Sequence, residues 1–380
     1  MKKKKAPSKS SHQHAIDNFV LSYMKSNQGF SSCKISSKKV IQRLWSGYGE
    51  IVRYHLEVAQ NTQQNQSLIV KNVHPPNVND TSISHLRKLR SYQVETAFYE
   101  KYSCKIISNG KGIEDINDGS VPRVPRLLYN KSNNELNLTQ ILLEDLNEVG
   151  YPGRQGYGSN AYIEQEVKPM IQWLARFHGA FLKKKVSHEE DDQSYYPGLW
   201  EQGCYWHLDT RPDEFNDMKR GHVLKKSAKM LDRRLKHHSQ FVTLLHGDSK
   251  VCNFCFSDST HAGKYRVAAV DFQYCGGGVG LRDLCYLLHS CMDDKDLKSS
   301  ENEILAYYFQ ELRKSQNVTT SLSGREQDAL EEEWRYLWPT CFADFERFLV
   351  GWSYGHESYG YAKAMIVKAL DQTFDTDEEN

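Results

Sequence analysis

The chain has 380 residues, enough to bury a substantial core and to form two lobes or domains. Lysine and arginine number 49 against 48 aspartates and glutamates, a net charge of +1, so no overall field points to nucleic acid or to a membrane surface. No apolar run reaches the roughly 18 residues of a membrane span, and nothing apolar follows the basic Met1-Lys2-Lys3-Lys4-Lys5 as a secretory signal requires.

Residues 1 to 14 read as a disordered basic tail. From Val40 the pattern turns strand-like. Val52, Tyr54, Leu56 and Val58 alternate with Arg53, His55 and Glu57, the period of two that marks a half-buried strand. Before it, Trp45-Ser46-Gly47-Tyr48-Gly49-Glu50 reads as a turn between strands. After it come a polar loop, Asn61 to Gln66, and a third strand over Leu68 to Val73. The spacing predicts a helix over Ser84 to Tyr102, with Leu86, Leu89, Val94, Phe98 and Tyr102 available for its buried face. A Gly/Asp/Asn-rich loop, Asn109 to Val121, precedes strand candidates at Arg126 to Tyr129 and Leu136 to Leu143.

Past Glu144-Asp145-Leu146 the character becomes helical. Ala161 to Lys185 reads as one long helix with Trp173, Leu174, Phe177 and Phe181 on a stripe, and residues 186 to 198 as a polar loop. Phe215 to His238 reads as a further helix, residues 241 to 274 as strands, and Leu281 to Leu370 as mostly helical. The expected fold is α+β and two-lobed: a β-rich nucleotide-binding lobe over residues 15–145 and an α-rich catalytic and substrate lobe over 146–372. Between them lies a cleft of the kind where ligand sites concentrate. Residues 373–380 form a short acidic tail.

The chemistry concentrates in one stretch. His246-Gly247-Asp248 is followed by Asn253 at D-x-x-x-x-N spacing, and the apolar run Arg266 to Val270 delivers Asp271-Phe272-Gln273. Phosphoryl-transfer enzymes use this arrangement: one carboxylate accepts the proton of an attacking hydroxyl, while an asparagine and a second carboxylate hold Mg²⁺ against ATP phosphates. Asp248 is the candidate base. A short turn at Ser257 to Gly263 makes a hairpin that sets Asn253 beside Asp271, within reach of one hard divalent ion. His246 reads as a packed structural ring. Either residue of Asp248's set, alone, is an ordinary turn residue; together they are a metal and phosphate site.

The first lobe supplies the nucleotide half. Gly47 and Gly49 let backbone N–H groups approach phosphates, although two glycines in a hairpin are more often only a hairpin. Lys71 stands in an apolar strand, where a lysine is costly unless paired. Glu95 on the next helix is its candidate partner, and a lysine–glutamate pair is how kinases hold the α- and β-phosphates. Asp283 follows the run Gly276-Gly277-Gly278-Val279-Gly280, where its carboxylate can accept backbone N–H bonds from the catalytic loop. The glycine run itself reads either as a flexible segment closing over substrate or as a tight turn into a helix. Cys252-Asn253-Phe254-Cys255 lacks the second pair of a zinc site and reads as small packing residues. Nine cysteines without framework spacing suit a reducing cytoplasm.

At these residues the chain resembles the aminoglycoside-phosphotransferase and choline-kinase superfamily of protein-kinase-like folds, and within it the ecdysteroid kinase-like family. The resemblance rests on Leu142-Leu143-Glu144-Asp145-Leu146, Leu174-Ala175-Arg176-Phe177-His178, Glu95 with Phe98-Tyr99, and Val270-Asp271-Phe272-Gln273, over roughly residues 40 to 310. It implies ATP and Mg²⁺ as cofactors, Asp248 as base, Asn253 and Asp271 as metal ligands, and Lys71 with Glu95 at the phosphates. Glycine rather than arginine at position 247, and no A-P-E segment after Asp271, point away from protein substrates and towards a small-molecule hydroxyl. Ser249 to Cys252 and the glycine run depart from the family's common versions, so the acceptor does not carry over.

The expected activity is therefore a small-molecule kinase. Two rivals are a catalytically silent nucleotide-binding protein of the same fold and a metal-dependent hydrolase, which would not need Lys71 or Glu95. Trp334, Trp338, Phe342, Phe345, Trp352 and Tyr354 can form an aromatic box for a quaternary ammonium, but their helical spacing favours core packing. An apolar pocket for a hydrophobic alcohol is equally open.

Overall fold

The computed structural model describes residues 9–27, 33–58, 64–76, 80–107, 121–133, 138–158, 161–185, 194–261 and 263–374. The basic residues 1–8, most of the 109–121 loop, residues 186–193 and the acidic 375–380 lie outside the described residues. The protein mixes an antiparallel sheet in its N-terminal region with a helical C-terminal part. It divides into two compact units: Met1–Tyr92 with Pro125–Gly150, and Gln93–Val124 with Tyr151–Asn380.

The first unit opens with α1 (Lys9–Asn27), which begins inside the stretch expected to be a tail. Its Ile16, Phe19, Val20, Tyr23 and Met24 recur at helical spacing and are all buried. They pack on Val52, Tyr54, Leu56, Leu68, Val70, Leu138 and Leu142 of the sheet. That sheet is built from β1 (Cys33–Arg43), β2 (Gly49–Val58), β3 (Gln64–Val73), β4 (Leu127–Asn133) and β5 (Leu138–Glu144), in the order β1-β2-β3-β5-β4. Every neighbouring pair is antiparallel. The alternation in β2 buries Val52, Tyr54 and Leu56 as its period requires. Asp145, just past β5, ties the unit together. Its carboxylate accepts from Arg53 Nε at 2.5 Å and Ser67 Oγ at 2.6 Å while only 2 % exposed.

Helix α2 (Ile83–Lys101) runs from the first unit into the second. Val94, Phe98 and Tyr102 are buried as the stripe predicted, but Leu86 is 54 % exposed and lies off the buried face.

In the second unit a short helix, α3 (Ser103–Ile107), is followed by β6 (Gly153–Arg154) and α4 (Lys168–Phe181). The long helix expected to Lys185 stops at Phe181, because β7 (Lys183–Lys184) pairs with β9 (Phe241–Leu245). Between these two strands lie β8 (Trp200–Gln202), α5 (Pro212–Asp217) and α6 (Val223–His237). The single helix expected over Phe215 to His238 is thus two, the second capped by His222, whose ring accepts from Leu224 N. Strands β10 (Phe254–His261) and β11 (Lys264–Ala269) form the hairpin, and β12 (Gly276–Gly278) is the glycine run. Helices α7 (Leu281–Cys291), α8 (Asp294–Arg313), α9 (Gln316–Ser321), α10 (Gly324–Tyr336), α11 (Trp338–Trp352) and α12 (Gly360–Asp371) complete the chain.

The glycine run fits neither expectation. It is a strand, antiparallel to β9 and parallel to β8. A Cβ on Gly276 would stand 2.3 Å from Trp200 O, so the backbones are too close for any side chain. The C-terminal aromatics divide. Trp334, Trp338, Phe342 and Phe345 are at most 2 % exposed and are core, while Trp352 and Tyr354 stand out from the surface.

Candidate active site

Strand β9 is buried at every position and carries the chain into His246-Gly247-Asp248. Gly247 has φ +79°, and a Cβ there would lie 1.9 Å from Tyr274 O, so only glycine makes this turn. The His246 ring is fully buried. Its Nδ1 accepts from Asp248 N at 3.2 Å and its Nε2 donates to Val270 O at 3.0 Å. Burial holds its pKa below the ordinary value, so the ring is a neutral brace between the loop and the end of β11.

Asp283, in the first turn of α7, is the pin of the loop. Its carboxylate accepts His246 N at 2.6 Å, Gly247 N at 3.0 Å and His178 Nε2 at 3.1 Å. Burial alone would raise this carboxyl, but His178, His246 and the backbone donors outweigh it and hold the pKa low. His178 is itself held by Tyr308 Oη at 2.7 Å, and its carbonyl accepts from Thr243 Oγ1 at 2.6 Å. The loop's next turn is fastened too: Ser249 Oγ donates to Asp283 O, and Val251 N to Ser290 Oγ.

Asn253 closes the turn over Val251–Asn253 and leads into β10. Its Nδ2 donates to Asp248 O at 2.7 Å and to Asp248 Oδ2 at 3.0 Å. Asn253 O accepts from Val270 N at 2.9 Å, so the hairpin brings Asp271 next in line to Asn253. Asp271 has φ +70°, a left-handed conformation that costs a non-glycine residue of order 1–3 kcal/mol and clusters at functional sites. Phe272 behind it stacks on Phe98 with ring centroids 3.9 Å apart, which fixes the strand end.

One member of the site escaped the sequence reading. Lys250 Nζ lies 2.6 Å from Asp248 Oδ2. Burial works against its ammonium, but Asp248 and Asp271 outweigh it and raise the lysine's pKa. For Asp248, burial is the largest influence and raises the pKa, Lys250 opposes it, and Asp271 adds to it. Its other oxygen, Oδ1, is buried and has no hydrogen-bond partner among the described residues. The signal was present two positions after the aspartate, as a lysine flanked in space by two acids. Tyr205 and Tyr286 were also missed. Their hydroxyls share a hydrogen bond in the field of Asp248, and burial pushes both pKa values up.

A divalent cation fits the donor set. Asn253 turns its Nδ2 to Asp248, which leaves its carboxamide Oδ1 unspent on that carboxylate, and this oxygen and the Asp271 carboxylate are donors of the kind a hard ion takes.

The residues expected on the nucleotide side lie in the first unit, apart from Glu95. Gly47 and Gly49 have φ +73° and +137°, and a Cβ on Gly49 would stand 1.9 Å from Asn72 O. Tyr48 between them is buried against Leu44, Val73 and Tyr92, and its hydroxyl bonds His85 Nδ1. The turn is pinned from beneath, with Trp45 82 % exposed at its tip. Lys71 is 3 % exposed on β3, and its Nζ lies 5.7 Å from the centroid of the Tyr92 ring. Glu95 is 2 % exposed and belongs to the second unit.

Among solved structures, the chain is similar to a microcompartment-associated aminopropanol kinase (14 % identity, 92 % of this chain and 94 % of that one, TM-score 0.42). It is also similar to an amicoumacin kinase in complex with AMP-PNP and Ca²⁺ (12 % identity, 97 % and 99 %, TM-score 0.44). A third is the ethanolamine kinase of Plasmodium vivax (11 % identity, 96 % and 88 %, TM-score 0.47). No curated protein matches. The sequence profile of the ecdysteroid kinase-like family matches residues 48–320, well over half of the chain and including Asp248, Asn253 and Asp271, and the chain belongs to that family.

Proposed function

We propose that this protein transfers the γ-phosphoryl group of ATP to a hydroxyl of a small molecule, with Asp248 as the base. The observation that carries the reading is the geometry at Asp248. One carboxylate oxygen is held by Lys250 and Asn253, and the other is buried with no partner among the described residues. An acceptor hydroxyl donating to that second oxygen would satisfy it and be aligned for in-line attack. As the acceptor oxygen bonds to phosphorus and the bond to ADP breaks, its proton passes to Asp248. Burial raises the Asp248 pKa towards that task, while Lys250 keeps the carboxylate charged beforehand.

Asn253 and Asp271 are assigned to Mg²⁺, which when bound neutralises the phosphate charge. Lys71 and Glu95 are each assigned to the nucleotide side, the lysine to the α- and β-phosphates, and the backbone of Gly47 and Gly49 to the phosphate edge. Glycine at position 247 and the lack of an A-P-E segment favour a small-molecule acceptor. All nine cysteines are free thiols, which supports a reducing, cytoplasmic setting.

The test is Mg²⁺-ATP consumption by the purified protein against amino alcohols, hydroxy acids, sugars, aminoglycosides and sterols. Wild type and Asp248→Ala are run in parallel. Acceptor-dependent ADP release should fall by about 10²–10⁴-fold in the variant with ATP binding retained. ATP binding without turnover across the panel would mark a silent binding protein, and a lack of ATP binding would overturn the reading.

A further inference from the structure

A second cluster of titratable groups stands next to the catalytic loop. Glu346 on α11 is 1 % exposed, yet three donors converge on it. His356 Nε2 lies 2.7 Å from its Oε2, Ser358 Oγ 2.5 Å from the same oxygen, and His289 Nε2 3.5 Å from Oε1. The other nitrogen of His289 meets Tyr157 Oη at 3.3 Å.

The cluster is joined to the catalytic loop by short connections. His289 precedes Ser290, whose hydroxyl accepts Val251 N and whose carbonyl accepts Gly158 N. Asp283, Tyr286 and His289 recur every three residues along α7, so one helix face carries the loop's pin, the tyrosine near Asp248 and the first histidine. Tyr157 feels both Lys250 and Glu346; burial, the larger influence, pushes its phenol up to about 12. A molecule whose hydroxyl meets Asp248 would extend along Tyr205 and Tyr286 towards these histidines.

We infer that the His289–Glu346–His356 cluster is the distal half of the acceptor site and receives the oxyanion of an alcohol that carries a carboxylate or phosphate group. The inference rests on the phosphotransfer reading above. Both Glu346 oxygens are engaged by protein donors, so no free carboxylate is left in the cluster for an ammonium. The unspent group is instead a donor. Among the described residues His356 Nδ1 has no partner, and its ring is 22 % exposed. The hydrogen bond to Glu346 raises the His356 pKa, which favours an imidazolium. Glu346 is held down to about 2: burial opposes this, but the histidines and Ser358 outweigh it. A charged N–H donor in a cluster that also holds the Tyr157 hydroxyl suits an oxyanion.

The test is calorimetric binding to the full-length protein without ATP, using alcohols of similar length: 4-hydroxybutyrate, 3-hydroxypropyl phosphate and 4-amino-1-butanol. The two anionic probes should bind at least tenfold more tightly than the amine. His356→Ala and the size-conserving His356→Gln should each remove about tenfold; the alanine also strips a donor from buried Glu346 and should lower the melting temperature, whereas the glutamine amide can keep that donor and hold it nearly unchanged. Preference for the amine would overturn the inference and give the exposed Trp352 and Tyr354 the recognition of a cation. Equal binding of the three, no binding, or full binding in both variants would also sink it. Turnover separates this result from the phosphotransfer reading. Anion binding with no ATP consumed would sink that reading alone, whereas consumption with an amine preference would sink only the oxyanion site.

Discussion

Lys250 shows how one side chain sets the working range of a base. Its ammonium stabilises the charged form of Asp248, which burial and Asp271 disfavour. Removing it should therefore raise the Asp248 pKa further. Lys250→Met is expected to move the acid limb of the kcat/KM profile to higher pH, measured as ADP release across pH 4–9 or so. An unmoved limb would mean that Lys250 does not tune the base. Asp283 carries a stability prediction of opposite sign. Its pKa is depressed in the folded protein, so its contribution is in place above the ordinary carboxylate pKa of about 4 and is lost as pH falls below it. Asp283→Ala leaves three buried N–H groups unsatisfied, those of His246, Gly247 and the His178 ring, and should cost roughly 3–5 kcal/mol in urea unfolding at neutral pH. The penalty should shrink in acid.

Among the elements, β12 departs furthest from its sequence reading. Three glycines look like a hinge or turn because glycine most often serves flexibility. Here the missing Cβ atoms let β12 lie between β8 and β9 at a spacing no side chain allows. Gly276→Ala would press a methyl into the Trp200 carbonyl and should lower stability by about 1–3 kcal/mol or more, read as a fall in melting temperature. Gly47 lies in open space and tests the contrast. An alanine there meets nothing within 4 Å, and only the positive φ opposes it, at about 1 kcal/mol. Helix α1 was missed for a different reason. Its stripe at Ile16, Phe19, Val20, Tyr23 and Met24 was legible, but the lysine-rich start drew attention to charge instead of period.

For the whole molecule, a net charge of +1 gives no general attraction for anions, so the proposed nucleotide binding has to come from local groups. Mg²⁺-ATP binding to the folded protein should stabilise it by about 2.7 kcal/mol at a hundred times Kd, a thermal shift of several degrees. Lys71→Met should abolish most of that shift. Asp271→Asn should abolish its Mg²⁺ dependence while leaving the metal-free melting temperature little changed. A shift that survives both variants would remove these residues from the nucleotide site. Among the described residues no helix is long and apolar enough to cross a membrane.

The sequence by itself determined what is local: the period-two strands of the first unit, the glycine that alone can make the turn at position 247, and the order and spacing of Asp248, Asn253 and Asp271. These follow from pleat geometry, allowed backbone angles and the reach of side chains along one chain. Only the tertiary structure decided the partners. It chose Lys250 as the cation on Asp248, and it added the His178 ring to Asp283, the carboxylate whose bonds to the loop were already legible in the sequence. It also ended α4 at Phe181 and seated the glycine run between two strands. The physical reason is that a buried charge or carbonyl takes whichever partner packing brings within about 3 Å, and that distance is set by the whole fold, not by separation along the chain.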